Sequence, residues 1–186
     1  MKQSSIEPRA AVIGLGNVLL GDDGFGPFTV EVLRSLYDCG PDVEIIDVGT
    51  PGLDLGPYLY GKELVVIVDA VSAEGEPGTV VTYNESEFLK GRAQLRLTDH
   101  DSGLQECLER LRLAGFGPRE VCLVGVIPDS CVFGRGISST VFAVISVAVD
   151  KIAELLLERG FTCKKKSCPE APAWVLRFGR TTHDYA

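Results

Sequence analysis

Short runs of aliphatic residues alternate with amphipathic segments over the first 160 residues, and this alternation leaves few possible folds. The strongest run, Glu63 to Val71, contains Leu64-Val65-Val66-Ile67-Val68, which is typical of a strand buried on both faces. Strands that alternate with helices form a mostly parallel sheet covered on both sides. We therefore predict a three-layer α/β/α fold with a twisted, mostly parallel sheet.

Local patterns predict the individual elements. Thr79 to Tyr83 is rich in β-branched residues and follows a Gly-Pro turn, so we expect an antiparallel edge strand there. The other predicted strands are Ala10 to Gly16, Val43 to Val48, Glu63 to Val71 and Glu120 to Ile127. The predicted helices are Phe25 to Tyr37, Leu53 to Tyr60, Ser102 to Ala114 and Val141 to Leu157.

Length and charge narrow the possible functions. With 186 residues the chain fits one domain, which we place at residues 1–160, followed by a C-terminal tail at 161–186 that is partly disordered or packs locally. The net charge of −8 argues against a nucleic-acid partner. The N-terminus has no signal peptide, and no run reaches the about 20 apolar residues of a membrane helix. We expect a cytoplasmic monomer without a membrane partner.

The cysteines agree with a reducing compartment. There are six, and no two form a Cys-x-x-Cys motif. Several lie in apolar runs, where a reduced, buried thiol is expected. Cys163 and Cys168 flank three lysines, and we interpret them as part of a solvated tail rather than as a metal or redox site.

Three polar sites follow strand-like runs or precede a helix. Asp22-Asp23 follows the first strand, Asp69 ends the third, and His100 lies just before a helix. If the second strand lies on the far side of the first, the first and third strands are neighbours and a crevice opens at their carboxyl ends. We expect these side chains to meet at that crevice.

Carboxylates and an imidazole together suit a borderline divalent ion such as nickel, iron, manganese or zinc. Each residue alone also has a purely structural interpretation. Asp69 could form a turn, and His100 could be a hydrogen-bonding loop residue. One of the two adjacent aspartates could cap the next helix, and we assign that role to Asp22.

Two other enzyme classes fit poorly. Gly14-x-Gly16 follows a strand, but the third glycine of a dinucleotide site is missing and two acids would meet the pyrophosphate. The Gly-x-Ser-x-Gly motif of many serine hydrolases is absent, and no nucleophile accompanies His100.

The run Gly14-Leu15-Gly16-Asn17-Val18-Leu19-Leu20-Gly21-Asp22-Asp23-Gly24-Phe25-Gly26 resembles the N-terminal signature of the hydrogenase maturation endopeptidases. Further similar motifs follow in order over residues 10–158. They are Asp47-Val48-Gly49-Thr50, Val68-Asp69-Ala70, His100, and Leu123-Val124-Gly125-Val126-Ile127-Pro128.

The resemblance implies a protease that removes a C-terminal extension from the precursor of a nickel-iron hydrogenase large subunit after nickel has been inserted. It implies that Asp23, Asp69 and His100 contact the nickel carried by that precursor. No organic cofactor is implied, and we assign no nucleophile. The tail after Gly160 has no counterpart in the family pattern.

Two rival functions remain open. One is a general metallopeptidase with its own bound ion, which would purify with stoichiometric metal. The other is a nickel-binding chaperone without catalysis, which would bind nickel tightly and leave the precursor mass unchanged.

Overall fold

The computed structural model of the protein describes residues 8–50, 55–89, 94–95 and 101–168. Its strands are β1 (Ala10–Leu15), β2 (Tyr37–Asp38), β3 (Val43–Gly49), β4 (Leu64–Ser72), β5 (Val80–Asn84), β6 (Gln94–Leu95), β7 (Glu120–Val126) and β8 (Lys164–Lys165). Its helices are α1 (Phe25–Leu36), α2 (Gly56–Leu59), α3 (Glu85–Leu89), α4 (Asp101–Leu113), α5 (Ser139–Phe142) and α6 (Ile145–Glu158), with a 3-10 turn at Gly21–Gly24 before α1.

The main sheet has the strand order β3-β1-β4-β7-β5, and β6 adds a short pairing to the end of β4. The pairs β3-β1, β1-β4 and β4-β7 are parallel, whereas β5 runs antiparallel to β7 at the edge. The predicted mostly parallel sheet with an antiparallel edge strand is therefore confirmed. Chain order reverses at β1, because β3 lies on one side of it and β4 on the other.

Apolar side chains alternate between the two sheet faces, and each face has its own core. Residues of α1 and α6 pack on one face, together with Val12, Val66 and Val124 from the strands. Residues of α2 and α4 pack on the other face, together with Ile13, Ile67 and Leu123. The three-layer α/β/α architecture is therefore confirmed as well.

The start of α1 lies unusually close to the sheet because of glycine. A Cβ on Gly26 would lie 2.2 Å from the carbonyl oxygen of Leu15 and 2.4 Å from that of Val68. A Cβ on Gly14 would in turn lie 2.7 Å from the Gly26 oxygen. Any side chain at these positions would lift the helix off the β1-β4 pair, so the glycines fix the turn before α1 against the sheet.

The last predicted helix is in fact two helices. The segment Val141 to Leu157 was expected to be continuous, but α5 ends at Phe142 and α6 begins at Ile145. Val144 has a φ of −105° and a ψ of 0°, which is outside the helical region. Within the described residues, no helix is long and apolar enough to cross a membrane.

The segment after α6 packs against the body of the protein at its beginning. Phe161 and Cys163 are buried, and β8 pairs with β2, whereas Cys168 is exposed. The expectation that both Cys163 and Cys168 lie in a solvated tail was therefore wrong for Cys163. Residues 169–186, which include His183, lie outside the described residues, and the boundary at residue 160 stays a prediction.

Candidate active site

Asp69 is a carboxylate inside the sheet. It lies in β4, opposite Gly125 of β7, and its exposed fraction is 0%. Because side chains alternate along a strand, Asp69 shares a face with Val65, Ile67 and Val71, which belong to the core beneath α2 and α4. Burying a carboxylate in such surroundings is unfavourable, and this cost marks Asp69 as a candidate functional residue.

Asp23 reaches the same edge of the sheet from the turn before α1. The backbone N–H of Asn17 donates a hydrogen bond to Asp23 Oδ2 at 2.8 Å, and the side chain is only 5% exposed. The turn is closed by the N–H of Leu20, which donates to the Asn17 carbonyl at 2.9 Å. The carboxylate of Asp23 is thus held in place by the loop that carries it.

Gly16 lies between the two acids. Its φ is +125°, a conformation that favours glycine, and a Cβ there would lie 1.8 Å from the Asp23 carbonyl oxygen and 3.7 Å from Asp69 Oδ1. The Gly16 N–H donates to the Gly49 carbonyl at the end of β3, at 2.9 Å. The structure therefore places the Asp69 carboxylate and the backbone of the Asp23 turn beside Gly16, at the carboxyl ends of β1 and β4, where chain order reverses.

His100 lies outside the described residues, and its predicted role stays a prediction. The elements that flank it in the chain, β6 and α4, both lie near Asp69. Leu95 in β6 pairs with Val71, two residues beyond Asp69 in β4. Helix α4 begins at Asp101, the residue after His100, and packs on the face that carries Asp69.

Asp22 has a different environment from Asp23. It is 0% exposed, and its Oδ2 accepts hydrogen bonds from the N–H groups of Asp129 and Ser130 at 2.9 and 3.0 Å. The Ser138 N–H donates a hydrogen bond to Asp22 Oδ1 at 2.6 Å, and the Ser138 hydroxyl donates one to Oδ2 at 2.9 Å. Asp22 therefore binds the loop between β7 and α5.

The prediction that Asp22 caps the helix after it, α1, is therefore wrong. Helix α1 is preceded by Gly24 and has no side-chain cap, whereas Asp22 satisfies backbone groups more than a hundred residues away. Backbone hydrogen bonds also join the loop before α1 to the loop between β7 and α5, and we call this contact the junction. Gly21 N–H donates to Arg135 O at 3.0 Å, and Gly134 N–H donates to Leu19 O at 2.9 Å. The structural assignment of Asp22 agrees with this role.

The junction also presents an apolar surface that sequence reasoning missed. Four apolar side chains lie on the tips of the two joined loops, and Phe133, the most exposed, is 74% exposed. We call this surface the apolar rim, and its members are Val18, Leu19, Val132 and Phe133. A weak signal was available, because each pair of adjacent apolar residues lies in a Gly-rich loop next to a predicted strand end.

Residues 8–50, 55–89, 94–95 and 101–168 contain no group of three or more histidine, cysteine, aspartate and glutamate side chains able to hold a metal ion. Within these ranges, Asp23 and Asp69 are the predicted ligands that the structure describes. Two carboxylates can contribute oxygen ligands to a cation, and further ligands would have to come from elsewhere.

Known proteins with a similar sequence and fold identify the family. The family model HycI, described as hydrogenase maturation protease, matches residues 27–155. The hydrogenase 2 maturation protease of Escherichia coli (strain K12) is 35% identical over 153 residues, covering 82% of this chain and 93% of that protein. The hydrogenase expression/formation protein HupD of Bradyrhizobium diazoefficiens is 31% identical over 172 residues, covering 92% and 90%.

A solved structure agrees with the sequence matches. The hydrogenase maturating endopeptidase HybD from E. coli superimposes with a TM-score of 0.79 at 34% identity, covering 86% of this chain and 98% of that one. Sequence and fold are therefore shared over most of both chains. The protein belongs to the hydrogenase maturation protease family and is an endopeptidase.

Proposed function

We propose that the protein removes the C-terminal extension from the nickel-loaded precursor of a [NiFe] hydrogenase large subunit. The names of its relatives support the reaction and the class of substrate. One observation carries the finer part of the proposal: the buried Asp69 and the Asp23 turn lie beside the same glycine, Gly16, at the carboxyl edge of the sheet.

Asp23, Asp69 and His100 would contact the nickel of the precursor. Carboxylate oxygens and an imidazole nitrogen are suitable ligands for a borderline divalent ion. The Asn17 N–H fixes the orientation of the Asp23 carboxylate, which has about four acceptor positions in all. The position of α4 on the Asp69 face supports including His100, since that helix starts at the next residue.

Nickel here belongs to the substrate, and this makes cleavage conditional. A precursor with bound nickel would gain contacts to the two carboxylates and the imidazole that an empty precursor lacks. Only such a difference in affinity can make one form react in preference to the other. The cleavage itself adds water across one peptide bond, and we assign no protein nucleophile to it.

The apolar rim supports a folded polypeptide as the substrate. Leu19 is 57% exposed and Val132 is 52% exposed, on loops joined directly to the Asp23 turn. Contiguous exposed apolar side chains frequently mark protein interaction sites. A precursor whose nickel contacts Asp23 would lie within reach of this surface, whereas a short generic peptide would cover little of it.

The decisive experiment follows the mass of a hydrogenase large-subunit precursor, nickel-loaded or nickel-free, after mixing with the protein. We expect loss of a C-terminal peptide from the loaded precursor alone. Asp23→Asn, Asp69→Asn and His100→Ala should each lower the rate by about 100-fold or more, because losing one metal contact costs several kcal/mol. Asp129→Asn is the matched control, since this exposed acid lies at the same sheet edge.

Each other outcome selects a different function. Equal cleavage of the nickel-free precursor would exclude nickel recognition. Cleavage of unrelated peptides by protein that carries stoichiometric zinc or manganese would favour the general metallopeptidase. Tight nickel binding by the free protein with an unchanged precursor mass would favour the chaperone.

A further inference from the structure

A short two-stranded ribbon lies at the amino ends of the sheet strands, on the side opposite the candidate active site. It joins the segment after α6 to the end of α1. In it β2 and β8 run antiparallel, with Tyr37 opposite Lys165 and Asp38 opposite Lys164. The Lys166 N–H donates to the Leu36 carbonyl at 2.8 Å, which extends the pairing at one end. Continuing the register in the other direction brings the next residues, Cys39 and Cys163, opposite each other.

Two further observations support that register. A Cβ on Gly40 would lie 3.4 Å from the Cβ of Thr162, so the residues after Cys39 and before Cys163 also face each other. Hydrogen-bonded and non-hydrogen-bonded pairs alternate along an antiparallel ladder, and the Leu36–Lys166 pair is hydrogen-bonded. Cys39 and Cys163, three positions away, therefore form a non-hydrogen-bonded pair.

This type of pair suits a disulfide. The Cα atoms of a non-hydrogen-bonded antiparallel pair are about 4.5 Å apart, which is within the range of about 4.4–6.8 Å found in disulfides. Both side chains point the same way and are buried, with exposed fractions of 5% for Cys39 and 3% for Cys163. The two cysteines need little backbone movement to become linked.

The two thiols already interact. The interaction between the two thiols raises the pKa of Cys39 and lowers that of Cys163. Cys163 is therefore the sulfur that deprotonates first and attacks an oxidant. Cys122, by contrast, lies in β7, where burial raises its pKa to about 11.

We propose that Cys39 and Cys163 form a reversible disulfide that responds to low-molecular-weight disulfides of the glutathione type. The Cys163 thiolate attacks one sulfur of the oxidised molecule, forming a mixed disulfide and releasing one thiolate. Cys39 then loses its proton and attacks Cys163 Sγ, which forms the internal disulfide and releases the second thiolate. The released thiolates take up the two cysteine protons, so one disulfide is reduced as another forms.

The disulfide would act on stability rather than on the candidate active site. Cys39 lies before β3, at the amino end of the strands, whereas Asp23 and Asp69 lie at their carboxyl ends. A link from residue 39 to residue 163 encloses most of the domain, and such long loops restrict the unfolded chain most strongly. Oxidation would thus fasten the segment after α6 to the body of the protein.

The test equilibrates the full-length wild-type protein with reduced and oxidised glutathione, traps thiols by alkylation, and maps disulfides by mass spectrometry. We expect a Cys39–Cys163 peptide, reversed by dithiothreitol, and a melting temperature about 5–15 °C higher in the oxidised form. Cys168→Ser should leave this result unchanged, because Cys168 is exposed and outside the ribbon. Cys39→Ser and Cys163→Ser should each abolish the peptide and the shift.

Mapping the wild-type protein decides the matter even if a serine variant fails to fold. A Cys163–Cys168 disulfide would overturn the proposal. So would full alkylation of Cys39 and Cys163 after oxidation, or a lasting mixed disulfide of glutathione on Cys163. These outcomes are independent of precursor processing, so the disulfide and the proposed function can fail separately.

Discussion

Two adjacent aspartates before α1 are both buried, yet they serve different regions of the molecule. Asp22 accepts four hydrogen bonds from the loop between β7 and α5, and its carboxylate is surrounded by donors. Asp23 accepts a hydrogen bond from Asn17 in its own loop, and its backbone carbonyl and the Asp69 carboxylate both lie beside Gly16. Asp22 therefore belongs to the junction between the two loops, and Asp23 belongs to the candidate active site.

The comparison shows that burial alone does not distinguish structural acids from functional ones. The distinction depends on which part of the chain the hydrogen-bond donors come from. A carboxylate with its acceptor positions occupied by distant backbone groups stabilises a loop arrangement. A carboxylate that accepts a hydrogen bond within its own turn, at the strand end that carries a second buried acid, is a candidate ligand.

The largest effect is expected at Gly16. Gly16→Ala should lower the free energy of unfolding by about 4 kcal/mol or more, because the new methyl group would overlap the Asp23 carbonyl oxygen and the backbone would be strained. Urea denaturation measures this. Gly136→Ala is the control, since a Cβ there meets nothing within 4 Å, and its stability should change by less than about 0.5 kcal/mol. Equal stability of the two variants would refute the close packing at Gly16.

The next largest effect separates the two acids directly. Asp22→Ala should cost about 3 kcal/mol of unfolding free energy, because it leaves the part-buried N–H groups of Asp129, Ser130 and Ser138 without their acceptor. Asp23→Ala should cost less, with about 1 kcal/mol coming from the hydrogen bond of the Asn17 N–H that it removes. A larger loss for Asp23 than for Asp22 would reverse the assignment of roles. Both values come from chemical denaturation.

A smaller effect is expected at Ser138. Its hydroxyl donates to Asp22 Oδ2 and accepts from the Val141 N–H at 3.2 Å, so it also caps α5. Ser138→Ala should lower the free energy of unfolding by about 1 kcal/mol, the usual value for a lost cap. In the Asp22→Ala background the same change should cost less, because the two residues share a hydrogen bond. Additive losses in the double variant would mean that the two residues act independently.

The smallest effect concerns the apolar rim. Phe133→Ser should leave stability within about 0.5 kcal/mol of wild type but raise the KM for a nickel-loaded precursor about 5-fold, because an apolar contact is worth about 1 kcal/mol. Steady-state cleavage assays measure KM. Leu113→Ser is the control, since this residue is 90% exposed at the end of α4 and far from the rim. An equal rise in KM for Leu113→Ser would remove the case for the rim as a contact surface.

The sequence predicted the sheet well because its strongest signals are local. The run from Leu64 to Val68 is buried throughout and reads as a central strand, and the turn before Val80 predicted the antiparallel edge. The expected crevice required the second and third predicted strands to lie on either side of the first, and the order β3-β1-β4 meets that condition. The joint role of Asp23 and Asp69 at this edge stays a prediction.

The missed features depend on distant contacts or on too few residues to show a pattern. The helix break at Val144 has no proline or glycine to mark it. The two-residue strands β2 and β8 are too short for any periodicity, so the burial of Cys163 could not be foreseen. The partners of Asp22 are mainly backbone N–H groups, which carry no residue signature in the sequence.

The junction around Asp22 has a consequence for how members of this family can differ in the precursor that they bind. The bonds from Asp22, Gly21 and Leu19 to the loop after β7 mostly engage backbone atoms, which are the same for every amino acid. Side chains at positions such as Val132 and Phe133 can therefore be exchanged without moving Asp23. Substitutions at these positions would change which precursor binds and leave the geometry at Asp23 unchanged.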